Sequence, residues 1–569
     1  MNLNRGRISF FDTRNGKQLP VMLILLLILS FLTVYPLVML LYGSLNGASP
    51  GEQGTFSLRG YTDLFTAKNG EILFNTLSIS LIKTVISLVV ATIIAFLVAR
   101  TDMPFKGSLE ILLALPFFIP PVLTAMAWGM LANEQVGTLN LVWFWLTGSN
   151  QSIFNMYSYA GVIWHMVQYS IPFLYLMLIN AFRAMDPSLE ESSRTSGAGR
   201  WRTFWKITLA LMLPAMTSAF LLSFLRGVES FESPVIFGTP VGIKVLTTQI
   251  FYLLNEQAVS DTLAGTSMAC ATVAILFLLV VLQWWLLRGK SFQTVTGKGF
   301  TPQLVPLGQW RWIATGFCFL LFAITVILPI SQLILSSFSE NFGFYSWDTF
   351  TLKHYQEVFQ SDIFWRALRN TMVLAFSAST VVMILSAVIG YAVVRTNWRF
   401  RKVIDLLAWL PWLMPGMVLA LGLLWGYAWL PKWIGIYGTV WALFLAYLAL
   451  GSPLGVRVMS DAFRQISTDI EESSRVHGAS FFRTFWCILV VLAWPSFVVG
   501  WIFTFFMVLR ELAASILLYA PGNEVLSTVM FRMWSDGKAE QVSVVGIIML
   551  VPVLGLFAAR YGLIDRRKT

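Results

Sequence analysis

The sequence predicts an all-α polytopic membrane protein, with twelve spanning helices in two homologous halves of six. Three observations carry this. Hydrophobic residues make up 57% of the 569-residue chain and charged ones only 12%, far from the balance of soluble domains. Apolar runs near the roughly 20 residues that a helix needs to cross a bilayer recur along the whole chain. Two polar segments between such runs nearly repeat each other, Glu190–Ile207 and Glu471–Ile488, with 12 of 18 positions identical.

The runs of the first half are Leu19–Leu41, Asn75–Ala99 (broken only by Lys83), Ile111–Asn133, Tyr157–Phe182, Ile207–Leu225 and Thr262–Leu287. Those of the second are Trp312–Ser339, Asn370–Val394, Leu406–Leu430, Ile434–Val456, Ile488–Leu509 and Val542–Ala559. Helices are required because an open strand in lipid leaves backbone groups without partners. The first run exceeds a signal-peptide core and has no small-residue cleavage site directly behind it, so it reads as a retained helix. Pro116, Pro120 and Pro121 fall inside one run, and Pro411 and Pro415 inside its counterpart. Interior prolines remove backbone bonds. These are either packing kinks or marks of helices that line a moving pathway.

The net charge of +11 is unevenly spread. Lys and Arg cluster in alternate loops, such as Arg5–Lys17, Arg183–Lys206, Arg288–Lys298, Arg395–Lys402 and Arg560–Lys568, whereas residues 134–156 contain none. This positive-inside bias predicts that both termini and both polar segments are cytoplasmic. The excess charge then meets anionic lipid heads, and no nucleic acid is implied. Cys270, Cys318 and Cys487 sit in or beside apolar runs as small hydrophobes. His165, His354 and His477 are scattered, without metal-ligand spacing.

The repeat reaches beyond the polar segments. Asn75-Thr76 matches Asn370-Thr371, Arg100-Thr101 matches Arg395-Thr396, and Leu115-Pro116 matches Leu410-Pro411, all offset by 295. The later offset is 281, so 14 residues are missing between the third and fourth helices of the second half. The expected division is 1–297 and 298–569, two halves in parallel orientation joined by the polar stretch Arg288–Gln309.

Each polar segment predicts a short helix with small residues, closed by a glycine in a left-handed turn. Glu191, Ser192 and Ser193 precede Gly197-Ala198 as Glu472, Ser473 and Ser474 precede Gly478-Ala479. Two such knobs on one side imply two soluble partners or a twofold dimer of one. Both segments resemble the EAA loop of permeases from binding-protein-dependent ABC importers, with serine where that family has alanine. The resemblance implies the type I importer fold and makes 186–206 and 467–487 coupling loops that dock into cytoplasmic ATPases. The coupling residues it implies are Glu191, Ser192, Ser193, Gly197, Ala198, Glu472, Ser473, Ser474, Gly478 and Ala479.

Thr294–Phe300, Gly308–Trp312 and Leu509–Leu518 resemble fused permeases of the ferric-iron type; thiamine, phosphonate and polyamine permeases are related. The implied partners are two copies of an ABC ATPase, a periplasmic or lipid-anchored solute-binding protein, and the lipid of a bacterial inner membrane. ATP and Mg would be bound by the ATPases. No GxxxxGK[ST] phosphate loop occurs, since Trp284 stands at the required first glycine before Gly289-Lys290-Ser291. No catalytic residue or cofactor of the chain's own is therefore expected. An ion-coupled secondary transporter, the rival class, calls for mid-membrane carboxylates that the apolar runs lack. Lys83 either snorkels to an interface or lines the pathway. Glu229, Glu232 and Glu511, at the outer ends of corresponding helices, either form interfacial ion pairs or face the substrate or its binding protein.

Overall fold

The computed structural model describes residues 19–186, 188–257, 260–287, 304–396 and 398–565. Among them, strand pairing is limited to three isolated bridges, and all else regular is helix. Eight single helices of 22 to 34 residues are long and apolar enough to cross a membrane, and four bent pairs raise the number to as many as 12. The apolar runs all fall on these elements or on Ala539–Asp565.

Proline decides where the bends lie. Lys106–Phe117 and Pro121–Leu131 meet at 91°, and Arg401–Leu413 and Gly416–Trp429 at 109°. Pro120 and Pro415 have ψ of 125° and 144°, outside helix geometry. Neither donates a backbone bond, and each opens a new helix, so these spans are broken and not merely kinked. Phe481–Leu492 and Trp494–Leu509 meet at 73° next to Pro495, whereas Pro214 is accommodated inside Leu209–Val228. Between the fifth and sixth apolar runs of the first half, Pro234–Val241 and Leu246–Glu256 form the fourth bent pair, at 74°. Gly242, at φ +79°, supplies the reversal that ends the first of these.

Packing divides the chain into two units, and each draws on both sequence halves. One comprises Met1–Phe65, Ile250–Val273 and Ser361–Val529. There Asp362–Arg395 packs on Val440–Gln465 and Trp494–Leu509, and Tyr35–Gly43 lies along Gly416–Trp429. Gly426 permits that approach. A Cβ there would come within 2.5 Å of the Tyr35 ring, whose hydroxyl donates to the Gly426 carbonyl at 2.9 Å. The other unit comprises Thr66–Gln249, Ala274–Gln360 and Met530–Thr569. In it Ala67–Arg100 packs on Tyr159–Arg183 and Leu209–Val228, and Leu328–Phe338 packs on Ala539–Asp565. Buried Ala, Ser, Thr and Gly line these contacts, as expected where close van der Waals approach replaces the hydrophobic drive between helices.

Candidate functional site

The two polar segments fold alike. Ser188–Thr195 leads through a turn to a helix beginning at Arg200, and Thr468–Val476 leads to one beginning at Phe481. Both turns use glycine in the left-handed region, Gly197 at φ +86° and Gly478 at φ +79°. The Gly197 and Ala198 N–H groups donate to the carbonyls of Arg194 and Ser193 at 3.0 and 3.1 Å. Gly478 and Ala479 repeat this on Arg475 and Ser474 at 2.9 and 3.1 Å. These bonds satisfy carbonyls left over at a helix end.

The serines then acquire a purpose that alanine could not serve. The Ser193 and Thr203 hydroxyls lie 3.0 Å apart, and those of Ser474 and Thr484 lie 2.8 Å apart. Each pair staples the short helix to the start of the next. Ser192, Ser473, Glu191 and Glu472 are exposed, and Ala198 and Ala479 are half-buried. At matching positions both knobs also expose large apolar side chains, Leu189 and Ile470, then Trp201 and Phe482.

The resemblance points to the second acid of each Glu-Glu pair, Glu191 and Glu472. The structure shows that the first one is the anchor. Glu190 pairs with the guanidinium of Arg100, whose side chain is fully buried, and accepts from the Thr208 hydroxyl at 2.5 Å. Glu471, itself buried, accepts from the Tyr391 hydroxyl at 2.5 Å. Arg395, the repeat partner of Arg100, donates to the Phe463 carbonyl at 2.6 Å and to that of Ile466. The signal was present, because Glu190/Glu471 and Arg100/Arg395 are all identical across the repeat.

The remaining candidates occupy separate settings. Lys83 has no exposed surface. Its ammonium donates to Ser223 O at 2.6 Å, Ser223 Oγ at 3.0 Å and Ser170 Oγ at 3.2 Å, joining three helices. At the corresponding positions of the second half, Ala378, Gly451 and Thr504 pack without a charge. Glu229 pairs with Arg226 at 3.0 Å, and its own side chain is 10% exposed. Glu232 is half-buried. Glu511 caps Ala513–Leu517, accepting from the Ala514 and Ser515 N–H groups at 2.8 and 3.0 Å.

The repeated Asn-Thr dipeptide also finds its reason. The Asn75 amide donates to Lys244 O at 3.3 Å, and Thr76 Oγ1 accepts the Leu246 N–H at 3.0 Å. Likewise the Asn370 amide donates to the carbonyls of Gly522 and Glu524 at 3.2 and 3.0 Å, and Thr371 Oγ1 accepts the Leu526 N–H at 2.9 Å. Each pair clamps the chain entering a short helix. Arg366 grips Glu524 with two bonds, at 2.8 and 3.2 Å. Burial pushes that carboxyl up, but backbone N–H groups and the guanidinium outweigh it and hold it below the usual range. Among the described residues, no group of three His, Cys, Asp or Glu could hold a metal ion.

Comparison with known proteins agrees with this duplicated design. The family model described as "Binding-protein-dependent transport system inner membrane component" matches residues 83–291 and 382–569. The ferric transport system permease protein of Actinobacillus pleuropneumoniae is 24% identical over 407 residues, which cover 70% of this chain and 58% of that one. The chain thus spans less than two thirds of that relative. An Fe(3+)-transport system permease protein of Haemophilus influenzae is 24% identical over 482 residues, 84% of this chain and 86% of its own. The spermidine/putrescine transport system permease protein of Escherichia coli K12 is 26% identical over 260 residues, 46% of this chain and 96% of its own.

Proposed function

This chain belongs to the inner membrane components of binding-protein-dependent transport systems, and we propose that it is the permease of an ATP-driven importer whose cargo is ferric iron. The observation that carries this is the pair of matched knobs, each with the same glycine closure, the same hydroxyl staple and an acid tying it to a long helix. A rigid protrusion on a long helix can transmit a push, and two of them suit two copies of one ATPase. Glu191, Glu472, Trp201 and Phe482 supply exposed polar and apolar surface for that docking. Knobs and termini would face the cytoplasm, where Lys and Arg concentrate. ATP and Mg would be held by the separate ATPases, and a solute-binding protein would deliver cargo at the opposite face. Movement of the knobs would rearrange the broken spans at Pro120 and Pro415.

Iron is supported by the two relatives named as ferric permeases, and it enters as cargo. The test is uptake of radiolabelled ferric iron by proteoliposomes containing this chain, its ATPase and its binding protein. Uptake should require ATP and should stop without the ATPase. Uptake driven by an ion gradient alone would refute the importer class. ATP-dependent transport of a different solute, with iron excluded, would refute the cargo alone.

A further inference from the structure

Equivalent positions beside the two knobs are filled differently. In the second half Tyr391, Phe481 and Phe485 form a closed aromatic plug, with ring centroids 5.4 to 5.9 Å apart. Their counterparts are Phe96, Arg200 and Phe204. Phe96 and Phe204 still meet edge to face at 4.9 Å. Arg200 instead turns outward and donates to the carbonyl of Pro306 at 3.1 Å. A crevice remains, lined by Phe96, Glu190, Arg194, Phe204, Leu304 and Val305 among others.

The segment that closes this crevice is the end of the stretch joining the two halves. Val305 pairs with Thr101 as a parallel bridge, donating to Arg100 O at 2.8 Å and accepting the Asp102 N–H at 3.2 Å. The Leu307 N–H donates to Asp102 Oδ1 at 2.7 Å. Residues 304–307 are therefore tied to the end of the helix that presents Arg100 to Glu190, and to the knob itself through Arg200. We infer that residues 304–307 are a strap that braces the first knob in place of the aromatic plug, with Asp102 and Arg200 as its positioning residues. Two identical ATPases would then meet knobs of equal shape but different support. That consequence rests on the coupling role proposed above.

The test uses the full complex with ATPase and binding protein. Asp102→Ala/Arg200→Met should speed amide exchange across 188–208 by roughly tenfold, as loss of two hydrogen bonds implies, and leave 469–489 unchanged. Uptake per ATP hydrolysed should fall. Adding Phe96→Tyr and Arg200→Phe to Asp102→Ala, which transplants the plug, should restore slow exchange. Unchanged exchange in 188–208, an equal rise in both knobs, or no rescue by the plug would each overturn the strap. Faster exchange confined to the first knob with unchanged uptake per ATP would uphold the strap and overturn the coupling role.

Discussion

Replacing Glu190 by alanine removes the counter-charge from a guanidinium that has no exposed surface of its own. Side-chain exposure is 0% for Arg100 and 12% for Glu190. Breaking such a pair from one side costs about 3–5 kcal/mol, because the remaining charge stays buried. The slight exposure of Glu190 admits some water and favours the lower end, about 3 kcal/mol. At tenfold per 1.4 kcal/mol, detachment of the first knob should become on the order of 100-fold more frequent. Glu471→Ala loses a hydroxyl bond to a carboxylate, about 1.5–3 kcal/mol, and should loosen the second knob by roughly ten- to a hundredfold. Amide exchange over 188–208 and 469–489 measures both, and co-purification of the ATPase gives the functional consequence. Removing both members of the first pair should be far milder, since an apolar pair of similar volume is often neutral. Arg100→Met/Glu190→Met should therefore recover most of the protection lost in Glu190→Ala. Wild-type exchange in Glu190→Ala, or a double variant no better than the single one, would refute the anchoring role.

Gly197→Val and Gly478→Val should each misdirect a knob at a cost of about 1–2 kcal/mol in backbone strain alone, since no neighbouring atom lies within 4 Å of the added Cβ. Membrane insertion should survive while ATPase co-purification and uptake fall, most of all in the double variant; wild-type uptake there would exclude a coupling role. Ser193→Ala and Ser474→Ala should loosen their own knobs by about 0.5–1.5 kcal/mol each, read as local exchange, and equal effects on both knobs from either change would contradict the staple. Lys83→Met should fold, with thermal stability equal or higher, because three neutral partners compensate a buried charge poorly; lost uptake in a well-folded variant would assign the ammonium to cargo passage. Glu524 has a depressed carboxyl, so its ion pair with Arg366 contributes fully above the unfolded value of about 4.3 and is lost as pH falls through the lower folded value. Thermal unfolding of Arg366→Met should accordingly fall less steeply between pH 5 and 3 (about one unit either side of that value) than that of the parent; parallel curves would remove the pair from the stability balance.

Local chemistry made much of this protein legible before folding was considered. Run length and the cost of bare backbone in lipid forced helices. Pro116–Pro121 and Pro411–Pro415 marked the breaks, although how sharply each span turns depends on the helices packed around it. The glycine closures at 197 and 478 were readable because a left-handed turn is a demand on one residue. Pro234–Val241 and Leu246–Glu256 lie outside the long apolar runs, because helices of 8 and 11 residues make too few turns to show a period.

What the chain alone could not disclose is which groups meet across long separations. Glu190 finds Arg100 at a separation of 90 residues, and Glu471 finds Tyr391 at 80. Glu190 and Glu191 are indistinguishable by type, and helix rotation alone turns one inward and leaves the other in solvent. The repeat likewise implied two equal knobs, but arginine at 200, where the second half has Phe481, sends a side chain outward to the carbonyl of Pro306. Composition, span length and backbone turns are set by neighbours in sequence, so the sequence determined them by itself. The partner of a buried charge is set by whichever helix packing brings within about 3 Å, and only the tertiary structure could decide that.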